Sequence, residues 1–272
     1  MNKNCVRADG RHHNQVRPIS ISIDTLSNAH TSVLFGFGQT KVLCAVTMQP
    51  QVPHFLKGTK TGWLTAEYAM LPTSTESRTP RESSGRVNGR SVEISRLIGR
   101  SLRSMIDLSQ LGERTIIIDC DVLQADGGTR TASITAASLA LQIAVNRWIA
   151  SRDLRCNIIT DPVAAVSVGM IGNNVLLDID YSEDSKVIAD YNFVLSRSGN
   201  VVEMQGSVEN GEISWDNFDD MRCCAIEGMQ TIFTAMEPYL DTVDLRKQKN
   251  EKKEGRVPLF SIQARQKSVS SS

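Results

Sequence analysis

The sequence predicts a mixed α/β protein, and three observations carry that prediction. A β-branched run over residues 115–122 leads into Asp126-Gly127-Gly128, and then into a stretch with apolar residues at helical spacing. Short runs of alternating polarity, each bounded by turn residues, lie on both sides of this unit. Two more segments, one starting near Ser91 and one near Trp215, repeat their apolar residues with the period of a helix.

Taken in order, residues 1–18 are polar and basic, and 19–23 alternate as a strand. Two β-like runs, 32–37 and 40–48, are separated by Gly38 and Gln39 and predict a hairpin. A further extended segment covers 63–70. The apolar pattern then fails over 71–90, which reads as a long loop. After it comes a helix whose apolar face is Val92, Ile94, Leu97, Ile98, Leu102, Met105 and Ile106, with Ser91 as the expected N-cap.

In the central unit a helix begins in the last residues of the glycine loop and carries Ile134, Ser138, Leu141, Ala144, Val145 and Trp148 on one repeat. Beyond it, runs 164–171 and 175–181 flank Gly172-Asn173-Asn174, and 191–196 and 201–205 flank Ser198-Gly199-Asn200. Ser214 is placed to cap a helix over 215–236. The folded domain is expected to span 1–240. The charged stretch 241–272 has the composition of a disordered tail.

The 272 residues carry a formal net charge of zero, so bulk charge argues neither for nor against nucleic acid. None of the six cysteines shows paired CxxC spacing, which predicts free thiols in a reducing compartment. The N-terminus has no apolar targeting core and no run approaches the ~18 apolar residues of a membrane span. A cytoplasmic protein is expected. The four histidines fall in polar or turn segments and are read as surface residues, and neither GxSxG nor HExxH occurs.

Three clusters bear on chemistry. Gly128, Thr129 and Arg130 stand at a predicted helix N-terminus, where unpaired amides, the positive dipole end, a hydroxyl and a guanidinium describe an anion site. Two glycines that merely turn the chain fit the same residues. Arg78, Arg81, Arg86 and Arg90 lie in the long loop with few acids to match them, and suit either an RNA phosphate backbone or a subunit interface. Asp178, Asp180, Glu183, Asp184 and Asp190 crowd one segment, with Asp178 and Asp180 expected on one strand face. Acids this close repel unless they are solvated, paired with arginines or bound to a cation. An all-oxygen ligand set suits Mg²⁺ or Mn²⁺.

A series of ordered blocks then carries a resemblance over nearly the whole folded part, from about Arg7 to Met236. They are RADGRHHNQVRPI, FGFGQTKVLCAV, FLKGTKTGWLTAEYAMLP, NGRSVEISRLIGRSLRSMIDL, LGERTIIIDCDVLQADGGTRTASITAA, PVAAVSVG, DIDYSEDSKVIADYNFV and VVEMQGS. In these blocks the chain resembles the ribonuclease PH family of phosphate-dependent exoribonucleases, which trim tRNA 3′ ends. The resemblance implies an α/β domain of the ribosomal-protein-S5 domain 2-like type, assembled as a ring-shaped homohexamer, a trimer of dimers. It implies a transferase that uses inorganic phosphate as co-substrate, releases nucleoside diphosphates, and adds nucleotides to tRNA in the reverse direction.

The same resemblance implies roles for single residues. Arg90 matches the family's phosphate-contacting arginine, and Gly128, Thr129 and Arg130 match its phosphate loop. Asp184 and Asp190 match the catalytic pair that binds the divalent metal, Mg²⁺ or Mn²⁺. Arg78, Arg81 and Arg86 fall in the loop that serves tRNA contact and ring assembly in the family. The chain departs from the pattern at Thr73, where an arginine is usual, at Tyr191, where a methionine is usual, and in a loop about one residue short before Arg90. A catalytically silent, RNA-binding ring subunit is the rival reading. Such relatives generally lose the phosphate arginines or the aspartates, and Arg90, Arg130, Asp184 and Asp190 are all present here.

Overall fold

A computed structural model describes residues 7–81 and 88–240. Two sheets enclose one long helix. The first sheet holds β1 (Ile19–Ile23), β2 (Thr31–Phe37), β3 (Thr40–Gln49), β4 (Trp63–Met70) and β5 (Thr115–Gln124), in the order β1-β2-β3-β5-β4. The three contacts among β1, β2, β3 and β5 are antiparallel, and β4 joins β5 in parallel. The second sheet is antiparallel throughout: β6 (Val163–Ile171), β7 (Asn174–Leu177), β8 (Ala189–Ser196) and β9 (Val201–Val208), in the order β7-β6-β8-β9.

Among the described residues the α-helices are α1 (Gly89–Ser104), α2 (Leu108–Leu111), α3 (Thr129–Ala150), α4 (Tyr181–Asp184) and α5 (Trp215–Met236). Helix α3 packs against β2 and β3 on one side and β6 on the other. All but Ala150 of its alanines, serines and threonines are buried, on every side of the helix, which lets two sheets approach it. Helix α1 lies on β4 and α3, and α5 closes the outer face of β6 and β7. Burying Phe35, Leu64, Ile98, Ile118, Ile143 and Phe193 in one continuous core holds these layers together.

The expected α/β class and nearly all the expected strands stand, with instructive differences. Helix α1 starts two residues before Ser91: Asn88 is its cap, its side chain accepting from the Arg90 amide at 3.0 Å. The helical pattern that runs on through Met105 and Ile106 does so across a break, because the chain leaves the helix at Met105 and Ile106 bridges to Ile159. The strand expected over 175–181 ends at Leu177. Asp178 has a left-handed backbone, φ 49°, and Asp180 caps α4, so the two do not share a strand face. Two histidines are not surface residues. His30 packs edge-on against Trp148 at 5.6 Å and accepts from the Met48 amide, and His13 is half-buried. The expected tail, 241–272, lies outside the described residues.

Candidate active site

The loop between β5 and α3 is built by two glycines with left-handed backbones, Gly127 at φ 72° and Gly128 at φ 65°. A side chain at Gly127 would collide with backbone, since a Cβ there would stand 2.7 Å from the Ile179 carbonyl oxygen and 2.9 Å from the Tyr181 nitrogen. Glycine is therefore required twice over, for the turn and for the close approach of the segment that starts α4. The Thr40 hydroxyl donates to the Gly127 carbonyl at 2.7 Å and accepts from the Asp126 amide at 3.0 Å. Helix α3 then begins at Thr129, and its first amides lack intrahelical partners, as at any helix N-terminus. Gly128, Thr129 and Arg130, where an anion site is expected, thus lie at the start of a 22-residue helix.

Arg90, in the first turn of α1, comes to the same place from a different part of the chain. Arg90 and Arg130 both lie within electrostatic reach of the Tyr68 phenol and of the Asp184 carboxyl. Tyr68 stands on β4, buried, with its hydroxyl donating to Thr129 Oγ1 at 3.0 Å. Burial pushes its phenol above the usual range, against the pull of the Thr129 hydrogen bond and the two arginines. Tyr68 carries no sequence motif of its own, and its alternating strand pattern marks it only as inward-facing.

The aspartates come from the second sheet. Asp184 ends α4, and Asp190 is the second residue of β8, beside Ser207 on β9. The Ser207 hydroxyl donates to Asp190 Oδ1 at 3.4 Å. Burial raises the Asp184 pKa, and the charges of Asp190 and Glu209 raise it further; Arg90 and Arg130 act in the opposite direction. The site residues expected from sequence thus come from four elements, with Arg90 and Arg130 within electrostatic reach of Asp184 and with Asp190 and Glu209, an acid not foreseen, acting on the same carboxyl. Among the described residues no three His, Cys, Asp or Glu side chains gather as a ready-made metal cage.

The other three acids of the crowded segment have structural partners. Asp178 is fully buried and accepts a two-pronged contact from Arg17, Nε to Oδ2 at 2.9 Å and Nη2 to Oδ1 at 2.7 Å. Glu183 takes Arg7 in the same manner, Nε to Oε1 at 2.6 Å with a second bond from Nη2 to Oε2. Asp180 and Glu183 form a reciprocal capping box around α4, which fixes the helix that presents Asp184. Arg11 donates to the Asp178 carbonyl at 3.0 Å. Arginine pairing, one of the three fates open to these acids, is the one Asp178 and Glu183 take. The arginines lie in the first 17 residues, a polar segment whose composition resembles that of a disordered arm, so periodicity gives no sign of them.

Of the loop arginines, Arg78 and Arg81 are exposed, and Arg81 lies close enough to Asp121 to pull its carboxyl down while burial raises it. Neither is brought to Asp184. Arg86 lies outside the described residues. The start of this loop does reach the site, because the Ala125 amide donates to the Ser74 carbonyl at 2.8 Å.

The model of the 3′ exoribonuclease family matches in both parts, domain 1 over residues 15–145 and domain 2 over residues 161–228. The chain belongs to the 3′ exoribonuclease family. Within it the chain is 47% identical to ribonuclease PH of Bacillus velezensis over 237 residues, 86% of this chain and 97% of that protein. Ribonuclease PH of Bacillus subtilis matches to the same extent, 47% over 237 residues. The fold itself recurs in rice (Oryza sativa) Rrp46, with a TM-score of 0.70 at 21% identity over 86% of this chain and all of that one. It recurs also in the Archaeoglobus fulgidus exosome with RNA bound to the active site, with a TM-score of 0.69 at 24% identity, 84% of this chain and 92% of that one. The protein is a phosphate-dependent 3′ exoribonuclease of the ribonuclease PH type, a transferase acting in tRNA processing.

Proposed function

We propose that inorganic phosphate sits at the N-terminus of α3, held by Gly128, Thr129, Arg130 and Arg90, with catalysis supported by Asp184 and Asp190. The observation that carries this reading is that Arg90 and Arg130 act electrostatically on both Thr129's partner Tyr68 and Asp184. One pair of cations thus serves both halves of the reaction. Phosphate and the RNA 3′ end are both anions, and the arginines and helix dipole offset their repulsion and hold them in line. A phosphate oxygen attacks the last phosphorus, the bond to the preceding 3′ oxygen breaks, and that oxygen leaves as a hydroxyl after taking a proton. The product is a nucleoside diphosphate, and the reverse reaction extends tRNA from diphosphates.

Asp184 and Asp190 would hold a divalent cation, Mg²⁺ or Mn²⁺. The fit rests on their chemistry: two oxygen ligands, crowded enough that Asp190 and Glu209 raise the Asp184 pKa, suit a hard ion that takes its other ligands from phosphate and water. Bound there, it would offset charge developing on the scissile phosphoryl group and leaving oxygen. Arg78, Arg81 and Arg86 are assigned to the RNA backbone upstream of the 3′ end. The assembly is a homohexamer in the cytoplasm; among the described residues no helix is long and apolar enough to cross a membrane. The folded domain spans 1–240, followed by a charged tail.

The test is a tRNA with extra 3′ nucleotides incubated with Mg²⁺, with and without inorganic phosphate. Shortening that requires phosphate and yields nucleoside diphosphates, reduced by about 10²–10³ in Arg130→Ala, Arg90→Ala or Asp184→Ala, supports the assignment. Monophosphates released without phosphate would remove the role given to Arg90 and Arg130. Binding without shortening would make the chain a silent subunit.

A further inference from the structure

Arg17 belongs to the first half of the chain and Asp178 to the second, and their contact joins the two parts of the active site. Both are buried, Arg17 to 3% exposure and Asp178 to 0%. The guanidinium uses every edge. Nε and Nη2 grip the Asp178 carboxylate, Nη1 donates to the Asp126 carbonyl, and Nη2 also donates to the Gly127 carbonyl at 3.3 Å. The Arg17 amide donates to Asp178 Oδ2 at 2.7 Å. A buried pair of this kind seldom adds stability over a well-packed apolar pair, because desolvating two charges offsets their attraction. Its geometry shows what it fixes instead.

A trans peptide points its carbonyl and the following N–H in opposite directions. The described residues contain no cis peptide. Drawing the Asp126 and Gly127 carbonyls toward Arg17 therefore turns the Gly127 and Gly128 N–H groups to the other side of the loop, forming the kind of amide concavity that takes anions. The same guanidinium anchors Asp178, two residues before the Asp180 cap of α4 and hence six before Asp184.

We propose that Arg17 is a positioning residue that orients the phosphate-loop amides and locks that loop in register with the aspartate-bearing helix. This inference rests on the phosphate site proposed above. Arg17 acts through the loop, at the face opposite the anion. Lysine cannot replace it, since one ammonium cannot hold a carboxylate side-on and two carbonyls at once.

The test is phosphorolysis by Arg17→Lys as a function of inorganic phosphate at saturating RNA, with Arg130→Ala alongside and RNA binding measured by anisotropy without phosphate. The expected result is a KM for phosphate at least tenfold higher, with RNA affinity within twofold of the native chain. A KM for phosphate unchanged in Arg17→Lys, while Arg130→Ala raises it, overturns the locking role alone; no change in either variant overturns the phosphate site as well. Equal losses in RNA affinity and kcat with no change in KM for phosphate would make Arg17 a general structural residue and sink the proposal. Should Arg17→Lys fail to fold, Asp178→Asn loosens the carboxylate grip that fixes the same guanidinium beneath the loop: a raised KM for phosphate with RNA affinity kept supports the proposal, and an unchanged KM rejects it.

Discussion

The Tyr68 hydroxyl donates to Thr129 Oγ1 at 3.0 Å, tying the edge strand β4 to the first residue of α3. Thr129 is thereby held in one rotamer beside the two arginines. Tyr68→Phe removes this bond and nothing else of size. A buried neutral hydrogen bond is worth about 1 kcal/mol net, so kcat/KM for phosphate should fall roughly five- to tenfold while the fold is kept. Steady-state kinetics with circular dichroism on the same sample checks both parts.

Asp184 gives a pH dependence with a definite sign. Burial first, then Asp190 and Glu209, raise its pKa, so it protonates at a higher pH than an ordinary aspartate. Activity at limiting Mg²⁺ should therefore fall on acidification above the usual aspartate range, and saturating Mg²⁺ should move that limb to lower pH. An acid limb that ignores Mg²⁺ concentration would count against the pairing of Asp184 with a cation.

The same shift bears on stability. A carboxylate whose folded pKa is raised loses stability as pH rises through that pKa, so ionised Asp184 costs stability at neutral pH. Asp184→Asn should melt higher than the native chain at pH 8 and equally in acid. The group is exposed enough for solvent to screen it, which limits the gain to under about 1 kcal/mol, up to roughly 4 °C. Activity falls as stability rises, and a thermal melt at two pH values shows whether it does.

Gly127→Ala should be costly for a local reason. Its φ of 72° disfavours any Cβ, and that Cβ would meet the Ile179 carbonyl at 2.7 Å. A loss of at least about 1 kcal/mol follows from the backbone alone. The collision adds to it by pushing α4 from the loop, so phosphorolysis should drop more than the denaturation midpoint suggests. Gly172→Ala, with a similar φ and open space around it, is the control.

The cysteines differ enough to be told apart by reagent. Burial pushes the Cys224 thiol up to about 12, and Cys44 is raised too, chiefly by burial, beside Cys120 at 3.1 Å between sulfurs. Cys156 and Cys223 are exposed. Among the described cysteines, native alkylation at pH 8 should label these two first, with Cys44, Cys120 and Cys224 reacting only on unfolding; peptide mapping reads the order.

Much of the fold and of the site is legible in the amino-acid sequence. Period-two and period-3.6 patterns mark the strands and helices because each buries one face, and the glycine loop with Thr129 and Arg130 announces a helix terminus. What stays hidden has a common cause. Tyr68, Arg17, Arg7 and Glu209 act through contacts with residues far along the chain, and such contacts leave no local period. Asp178 misleads because its left-handed backbone ends a strand that its alternating neighbours predict to continue. The cap at Asn88 rather than Ser91 differs because either side chain can accept from a first-turn amide, and only the backbone trace decides between them.

The placement of α3 between the two sheets has a consequence for how the site ages and opens. A helix flanked by sheets on both sides cannot exchange its amide hydrogens by fraying or by local breathing of one layer; both layers must part. Its interior amides are therefore expected to exchange among the slowest in the molecule, as native-state hydrogen exchange would read. The glycine loop runs into the first turn of that element, so the frame that carries Gly128, Thr129 and Arg130 is inherited from the whole fold.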